Sequence, residues 1–446
     1  MSRKKLVVIG LVISGLIFAI GPCYAQKITL VFSDWHLTEP HWEQALKEGI
    51  AVFEAENPEI KVKLDYVSYA EKETKYATAL EAGKGPDVFH LHAYSMRSFI
   101  ERGYLYDITE FIEKEGSCWY GKDFLDPWYP QTLELVSKDG RYYGLPGDFM
   151  AMVLFRNKKL FQEAGLPTDI PPRTWDDFLA YAKKLTRDRN NDGRVDTWGF
   201  GTVGAISPGF ELRFTPVLFS HGGSYLTPDN KRCALDTPEA KRAFKFFIEL
   251  YTRYGVIPPG VTARNPGDVR EQLATEEVAM ILGSGWTVPI VDGLNPDLKA
   301  SEVLEASPVP VAAGVSPKYT TTAWLSTWVI GRNTKYPEAA WKLLRHQTSK
   351  PMTEKWFRDA RVLSSRRDVS GGLESLGITG YNELLFDKFA RVIAGELAHA
   401  KFVPQVKEWP QIIETVNTAV QEAFTKAKSP EQALSEACRR INSILK

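Results

Sequence analysis

Apolar positions in the first hundred residues alternate between the two-residue spacing of strands and the three-to-four-residue spacing of helices. Trp42, Leu46 and Ile50, for example, fall on one face of a helix that has Pro40 in its first turn. The pattern predicts strands over residues 27–32, 62–66 and 86–91, and helices over residues 39–57 and 69–82. Strands separated by such helices indicate a parallel sheet covered on both faces, with ligands bound at the carboxyl ends of the strands.

The same alternation returns after the Gly-Leu-Pro-Gly segment at residues 144–147. It predicts strands over residues 150–156 and 279–282, and helices over residues 175–186, 238–254 and 267–275. The last hundred residues carry only helical patterns, over residues 337–347, 350–358, 380–393, 410–426 and 430–445. We therefore expect two α/β lobes with a helical C-terminal region.

The N-terminus has the pattern of an export signal. Three basic residues at positions 3–5 precede an uncharged apolar stretch over residues 6–21, and small residues precede a cleavage point after Ala25. A membrane anchor is the alternative, but this stretch is shorter than the ~20 residues that a spanning helix needs. Lipid attachment at Cys23 is a second alternative, which Pro22 disfavours. We expect a periplasmic protein that begins at residue 26.

Composition excludes several classes of function. Lys plus Arg and Asp plus Glu number 55 each, and removal of the signal leaves a net charge of −3, so no positive field favours nucleic acid or an anionic membrane. Hydrophobic residues make up 44% of the chain, including 12 Trp and 23 Phe, which excludes disorder. No second apolar run of about 18 residues is present, so we expect the exported protein to be soluble.

Three cysteines remain after signal cleavage: Cys118, Cys233 and Cys438. An odd number in an oxidising compartment allows at most one disulfide, and the spacing leaves the pair open.

Diagnostic catalytic spacings are missing, since the chain contains neither a G-x-S-x-G elbow nor an H-E-x-x-H pair. We therefore expect no enzyme, no catalytic residue and no required cofactor. His90 and His92 lie on the same side of a predicted strand, where two metal ligands or a polar cleft lining are both consistent with the spacing. The cleft lining is the preferred interpretation because no carboxylate lies nearby in the sequence.

A second candidate metal site is a loop with oxygen side chains at positions 1, 3, 5 and 9 and a glycine, Gly193, at position 6. Its candidate calcium ligands are the side chains of Asp188, Asn190, Asp192 and Asp196 and the backbone carbonyl of Arg194. Gly199 stands where an EF-hand needs a bidentate Glu, so Thr197 or water would complete the shell. The alternative is an Asx-rich turn into a strand over residues 195–200.

The order of motifs resembles the family 1 extracellular solute-binding proteins of ABC transporters, which include maltose-binding and glycerol-3-phosphate-binding types. The resemblance covers essentially the whole exported chain. One departure is Arg156, where the family usually carries Tyr before Asn-Lys. The motifs are Asp34-Trp35-His36, Gly85-Pro86-Asp87-Val88, Gly144-Leu145-Pro146, the segments 154–158, 172–178, 277–280 and 283–286, and Val403-Pro404 with Trp409.

The resemblance implies the type II periplasmic-binding-protein fold, in which two hinge-linked lobes close on a ligand in the cleft. Mapped onto this chain, the first lobe would be residues 26–148 plus about 309–347. The second would be residues 149–308 plus 348–446. Crossings between the lobes would fall near residues 149–151 and 307–309.

A sugar-binding cleft needs flat apolar surfaces for the ring faces and polar groups for the hydroxyls, because a buried unpaired hydroxyl costs about 1–3 kcal/mol. Strand ends and turns of this chain supply both. Trp175, Trp341 and Trp356 lie on helical stripes and are expected in the core. The candidate ligand-binding residues are Trp35, His36, His92, Tyr94, Asp148, Glu211, Arg213, Trp286, Trp324 and Trp409.

We therefore predict a periplasmic receptor, monomeric, that captures a sugar or oligosaccharide and delivers it to the membrane permease of an ABC importer. A receptor for glycerol phosphate or another polar solute is an alternative within the same class. A carbohydrate-active enzyme would need two carboxylates in the cleft, for which Asp148 and Glu211 are the candidates. A sensor subunit of a membrane kinase is a third class. The identity, length and linkage of the sugar stay open.

Overall fold

A computed structural model describes residues 27–116, 123–369 and 387–446. The predicted export signal, Cys118 and the first half of the helix predicted over residues 380–393 lie outside these ranges. Within them, no helix combines the length and apolarity needed to cross a membrane.

The α-helices are α1 Pro40–Glu56, α2 Lys72–Glu81, α3 Ala93–Glu101, α4 Thr109–Glu115, α5 Pro130–Leu135, α6 Lys158–Glu163, α7 Trp175–Leu185, α8 Glu211–Ser220, α9 Pro238–Thr252, α10 Pro266–Ala274, α11 Thr287–Leu294, α12 Ala300–Val303, α13 Pro337–Gln347, α14 Lys350–Ala360, α15 Lys388–Glu396, α16 Trp409–Phe424 and α17 Pro430–Ile444. The strands are β1 Ile28–Asp34, β2 Ile60–Tyr66, β3 Val88–His92, β4 Ser137–Lys138, β5 Arg141–Tyr142, β6 Gly144–Ala151, β7 Val153–Asn157, β8 Met280–Gly283, β9 Leu304–Ser307, β10 Thr321–Ile330 and β11 Ala400–Lys401.

The first lobe is built on a sheet in the order β11-β10-β3-β1-β2, with β6 also paired to β10. β1 runs parallel to β2 and β3, which confirms the predicted βαβαβ start. β10 runs antiparallel to β3 and β6, so the sheet is mixed and not purely parallel as predicted. β10 can run antiparallel because it arrives from the second lobe, without the crossover helix that a parallel neighbour needs.

The second lobe contains a three-stranded sheet in the order β8-β7-β9, antiparallel throughout. Helices cover it, and α16 and α17 pack on each other and on α9, so the C-terminal region is helical as predicted. A disulfide joins Cys233 to Cys438, with Cα atoms 5.5 Å apart, and ties α17 to this lobe. Closing a loop of about 200 residues stabilises a fold by roughly 4–5 kcal/mol in the chain-entropy description.

Two crossings between the lobes lie within the described residues. The first is at Met152, between β6 and β7. The second comes later than residues 307–309, because the backbone N–H groups of Val311 and Ala312 still donate to carbonyls of the second lobe. After α14 the chain returns beside β6, where the Phe149 N–H donates to the Leu363 carbonyl at 2.8 Å. α14 packs on α1 and therefore lies with the first lobe, although the sequence analysis assigned residues 348–446 to the second.

The strand predicted over residues 150–156 is divided in the structure. Residues 150 and 151 end β6, Met152 is the crossing, and residues 153–156 lie in β7. Residues 195–200 form no strand but only isolated bridges, including Trp198 with Val278. The strand-like alternation there reflects side chains that pack on the second lobe without a continuous ladder.

Candidate functional site

Trp35 forms the centre of an aromatic wall on the first lobe. It directly follows β1 and begins a short 3-10 helix over Trp35–Thr38. Its ring stacks on His90 with centroids 4.5 Å apart, and His90 stacks in turn on Trp328 at 3.9 Å. His90 and Trp328 are paired neighbours on β3 and β10. The register of the sheet therefore determines the plane in which Trp35 is presented.

Asp34 lies against two histidines behind this wall. Its Oδ1 accepts the His36 backbone N–H and lies 3.0 Å from His36 Nδ1, and its Oδ2 lies 3.4 Å from His90 Nδ1. Burial would raise the pKa of the Asp34 carboxyl, but the charges and hydrogen bonds of the two histidines hold that pKa well below its usual range. Burial likewise opposes protonation of His36, yet Asp34 raises the pKa of His36 above its ordinary value. The charge of the Asp34 carboxylate is therefore balanced by His36 within this group.

A second paired group surrounds Lys72, which is fully buried. Its Nζ donates to the Tyr69 carbonyl at 2.9 Å and lies 3.7 Å from Glu73 Oε1. Burial would raise the pKa of Glu73, but Lys72 and His92 lower it to about 2. Burial, reinforced by the Lys72 charge, lowers the pKa of His92 to about 3. The His92 ring is held by Glu73 at 3.3 Å and by the Tyr94 hydroxyl at 2.8 Å.

Asp148, near the first crossing, holds the tryptophan that faces the second lobe. Its Oδ2 accepts the Trp324 Nε1–H at 2.9 Å, and its Oδ1 accepts the Ser326 backbone N–H at 2.5 Å. The Trp324 ring contacts His92 at 4.1 Å and meets Trp286 of the second lobe edge-on at 5.6 Å. These bonds orient Trp324 toward the cleft.

Trp286 reaches this position from the start of α11 because Gly285 passes very close to the segment that follows α14. A Cβ atom on Gly285 would overlap the carbonyl oxygen of Arg361. Only glycine permits that approach.

The second-lobe face carries Glu211 and Arg213 in the first turn of α8. Glu211 Oε2 accepts the Gly209 N–H at 3.0 Å, and Arg213 Nη1 donates to the Gly209 carbonyl at 3.1 Å. Burial raises the pKa of Glu211 to about 7. Burial and the nearby charge of Arg270 lower the pKa of Arg213 to about 10, which leaves it charged at neutral pH.

The two faces enclose a cavity of about 50 Å³, with both lobes contributing. Aromatic rings supply most of its apolar wall, and carboxylate, guanidinium and imidazole groups supply its polar atoms. Its lining residues are Trp35, His36, Glu39, Trp42, Tyr69, Asp148, Leu212, Arg213, Pro266, Arg270, Trp286, Trp324 and Val362.

The structure thus brings six of the ten predicted residues to one cavity: Trp35, His36, Asp148, Arg213, Trp286 and Trp324. His92, Tyr94 and Glu211 lie directly behind its walls. Trp409 does not reach it. The Trp409 side chain is fully buried and packs edge-on against Tyr225 at 5.0 Å, inside the second lobe. The junction between a loop and a helix at Trp409 is therefore the start of a helix whose first residue lies in the core and not in the cleft. Trp175, Trp341 and Trp356 are buried as predicted.

Sequence reasoning missed several residues of the cavity. Tyr69 follows the carboxyl end of β2, where parallel strands place their ligands, so the rule that selected Trp35 applies to it as well. Lys72 and Glu73 begin the helix after the same strand. Arg270 has no comparable signal, because it lies within α10 amid an ordinary helical pattern.

A larger groove of about 1560 Å³ lies on the first lobe, lined partly by α1, α13 and α14. It is built by one lobe and lies away from the carboxyl ends of β1 and β3. The smaller cavity between the lobes is therefore the candidate ligand site.

The predicted calcium loop brings oxygens of Asp188, Asp192 and Asp196 within 4.8 Å of one another. Asp188 Oδ2 accepts the Gly193 N–H at 2.7 Å, and Asp196 Oδ2 accepts the Arg189 N–H at 2.7 Å. Asp188 Oδ1 and Asp196 Oδ2 each accept two backbone N–H groups, whereas Asp188 Oδ2 accepts only one and keeps a lone pair for a cation. The bound ion stays a prediction.

The chain is similar to known solute-binding proteins in fold and sequence. The chain superimposes with a TM-score of 0.82 on a crystal structure of an ABC transporter solute-binding protein from Thermotoga lettingae bound with α-D-tagatose. The two are 28% identical, over 94% of this chain and 100% of the other. An erythritol/L-threitol-binding protein of Mycolicibacterium smegmatis is 25% identical over 363 residues, or 75% of this chain and 72% of the relative.

A galactooligosaccharide-binding protein of Bacillus subtilis is 22% identical over 411 residues, or 90% of this chain and 86% of the relative. The family model for bacterial extracellular solute-binding proteins matches residues 38–354. That match covers most of the chain. The two α/β lobes with a cavity between them agree with it. The chain belongs to the bacterial extracellular solute-binding protein family.

Proposed function

We propose that this protein is the receptor of an ABC importer and captures a sugar or polyol between its two lobes. The observation that supports this most is the cavity, which combines indole faces with buried polar atoms from both lobes. Indole faces remove water from the C–H faces of a sugar, and fixed acceptors and donors replace the hydration of its hydroxyls.

Capture follows from the division of the site between the lobes. Trp35 and Trp324 belong to the first lobe, and Trp286 and Arg213 belong to the second. A ligand that contacts both walls binds the closed arrangement more tightly than the open one, and so shifts the population toward it. The permease would then recognise the closed form. We expect a monomer in the periplasm, exported by the N-terminal signal.

Binding rather than turnover is the expected activity. Both oxygens of the Asp148 carboxylate, one of the two candidate acids, already accept hydrogen bonds from Trp324 and Ser326, so neither is free to face a glycosidic bond. Glu211 alone does not make the carboxylate pair that glycoside hydrolysis uses.

The experiment is a thermal-shift screen of the purified protein against mono-, di- and oligosaccharides and polyols, followed by calorimetric titration of each hit. A saccharide or polyol that raises the melting temperature and binds with a stoichiometry near one supports the proposal. Product release from any hit on prolonged incubation would contradict the binding role. No response from the whole panel would contradict the ligand class.

We further propose a calcium ion at the loop of Asp188, Asn190, Asp192 and Asp196, with the Arg194 carbonyl as a further ligand. The support is the donor set, since calcium takes carboxylate, amide and carbonyl oxygens. The ion would brace the second lobe and take no part in ligand chemistry.

A further inference from the structure

Two arginines of the second lobe face the cavity without an acidic partner. Arg213 lies in the first turn of α8 with 2% of its surface exposed, and the half-buried Arg270 lies on α10. Both line the cavity. Among the described residues, no carboxylate oxygen lies within 4.0 Å of a nitrogen of either guanidinium. Surface arginines of the same lobe behave differently: Arg187 and Arg189 both pair with Glu163 at 2.8–2.9 Å.

Their hydrogen bonding is incomplete as well. Arg213 Nη1 donates to the Gly209 carbonyl, while its buried Nε has no acceptor. The Nε of Arg270 is also buried without an acceptor. A buried charge that lacks both a partner and a full set of hydrogen bonds is strongly unfavourable, so such groups in native proteins are normally paired or bind a ligand. Here two such guanidinium groups line the same cavity.

The nearest acid does not supply the missing charge. Glu211 gives one oxygen to the Gly209 N–H, and its other oxygen, Oε1, is buried without a partner. Burial keeps much of this carboxyl protonated near neutral pH. Of the acids of the first lobe, Asp34 is engaged by His36 and His90, and Asp148 by Trp324 and Ser326. Glu39 also lines the cavity, but its carboxylate forms no ion pair within 4.0 Å with either guanidinium.

Gly209 brings these groups together. It adopts φ +90°, and a Cβ atom there would lie 3.3 Å from Arg213 Nη1 and 3.5 Å from the Tyr69 hydroxyl. The guanidinium of the second lobe and the phenol of the first lobe therefore meet at the same backbone turn. A ligand anion held by Arg213 would sit at the junction of the two lobes.

We propose that the ligand is a sugar acid, whose carboxylate is bound by Arg213 and Arg270 while its hydroxylated carbons lie against Trp35, Trp286 and Trp324. This rests on the proposed sugar-receptor function. A carboxylate matches the planar fork of a guanidinium in a bidentate arrangement. It also brings negative charge to two positive groups. A phosphate, which guanidinium groups bind as well, is distinguished by the experiment.

The test is calorimetric titration of the purified protein with matched pairs that differ only in the carboxylate: galacturonate and galactose, glucuronate and glucose, gluconate and sorbitol. Hexose 6-phosphates form a further arm. In at least one pair we expect the acid to bind at least a hundredfold more tightly than its neutral partner. Equal affinity within every pair that binds would overturn the sugar acid and leave the sugar receptor intact.

Tighter binding of the phosphates than of the acids would overturn the carboxylate. Binding of no member of any pair would overturn the sugar acid, and the wider saccharide and polyol panel then decides the proposed function separately.

The variants are Arg213→Gln, Arg270→Gln and the control Arg264→Gln. Arg264 precedes α10, also has a buried Nε without an acceptor, and does not line the cavity. We expect each cavity variant to lose at least tenfold in affinity for the acid and to leave the neutral partner within threefold. The control should change neither. Because Arg270 is half-buried, its variant keeps the test valid if Arg213→Gln fails to fold. Unchanged acid affinity in both cavity variants would contradict the proposal.

Discussion

The two walls of the cavity differ in whether their buried charges have partners of opposite charge. In the first lobe, Asp34 pairs with two histidines, and Lys72 pairs with Glu73. In the second lobe, Arg213 and Arg270 have no acidic partner within 4.0 Å among the described residues. Paired charges are balanced within the fold and hold the aromatic wall in place. Unpaired charges at a cavity are available to a ligand, so the first lobe supplies the platform and the second lobe supplies the charge.

The largest expected effect separates these two kinds of charge by stability. Asp34→Ala leaves His36 without its counter-charge and should lower the free energy of unfolding by about 3–5 kcal/mol. Arg213→Met removes a charge that has no partner and keeps similar volume, so unfolding should change by less than about 1 kcal/mol or become harder. Urea denaturation of both variants measures this. Equal losses in the two variants would remove the distinction between the walls.

Tryptophan variants test a related difference, between a residue that lines the cavity and a residue that packs in the core. Trp286→Ala should weaken ligand binding at least tenfold with a change of only a few degrees in melting temperature, because a desolvated aromatic anchor contributes about 1–3 kcal/mol. Trp341 stacks on Phe111 at 5.5 Å in the first lobe, so Trp341→Ala should cost about 3–5 kcal/mol of stability and leave affinity unchanged. Titration and melting curves on both variants decide it. Unchanged affinity in Trp286→Ala would remove that residue from the site.

The pH dependence of stability tests Glu211 of the second wall. Since burial raises the pKa of Glu211 to about 7, the folded state holds a proton that the unfolded state has lost above about pH 4.5. Stability from this group is therefore present at low pH and lost as pH rises from 4.5 to 7, by up to about 1.4 kcal/mol per pH unit. His92, with a lowered pKa, changes stability in the opposite direction between about pH 3 and 6.5.

The measurement is therefore the difference between the wild-type protein and Glu211→Gln across this range. A wild-type curve parallel to that of the variant would show that Glu211 is ionised throughout.

The smallest expected effect concerns the loop of the second lobe. Calcium at ten times its Kd stabilises the folded state by about 1.4 kcal/mol, so adding EGTA should lower the melting temperature by a few degrees. Asp192→Ala should melt at the lower temperature with or without EGTA. If EGTA leaves the wild-type melting curve unchanged and Asp192→Ala melts like the wild type, the loop is an Asx turn without an ion.

Local patterns were enough to predict the elements that alternate along the chain. The strand and helix at β1 and α1, the capped helix α7 and the C-terminal helices follow from apolar spacing and end signals, which act within a few residues. Strand ends then pointed to Trp35, and turns to Trp286 and Arg213. These are short-range properties, and a single sequence states them directly.

Long-range pairing decided the rest. The antiparallel return of β10, the packing of α14 on α1, and the disulfide between Cys233 and Cys438 join segments far apart in the chain, which no local spacing encodes. The same holds for single side chains: Trp409 and Trp286 both sit near helix starts, yet one packs in a core and one faces a cavity. Only the folded chain determines which charges find partners, because pairing and burial depend on what the other lobe brings within about 4 Å.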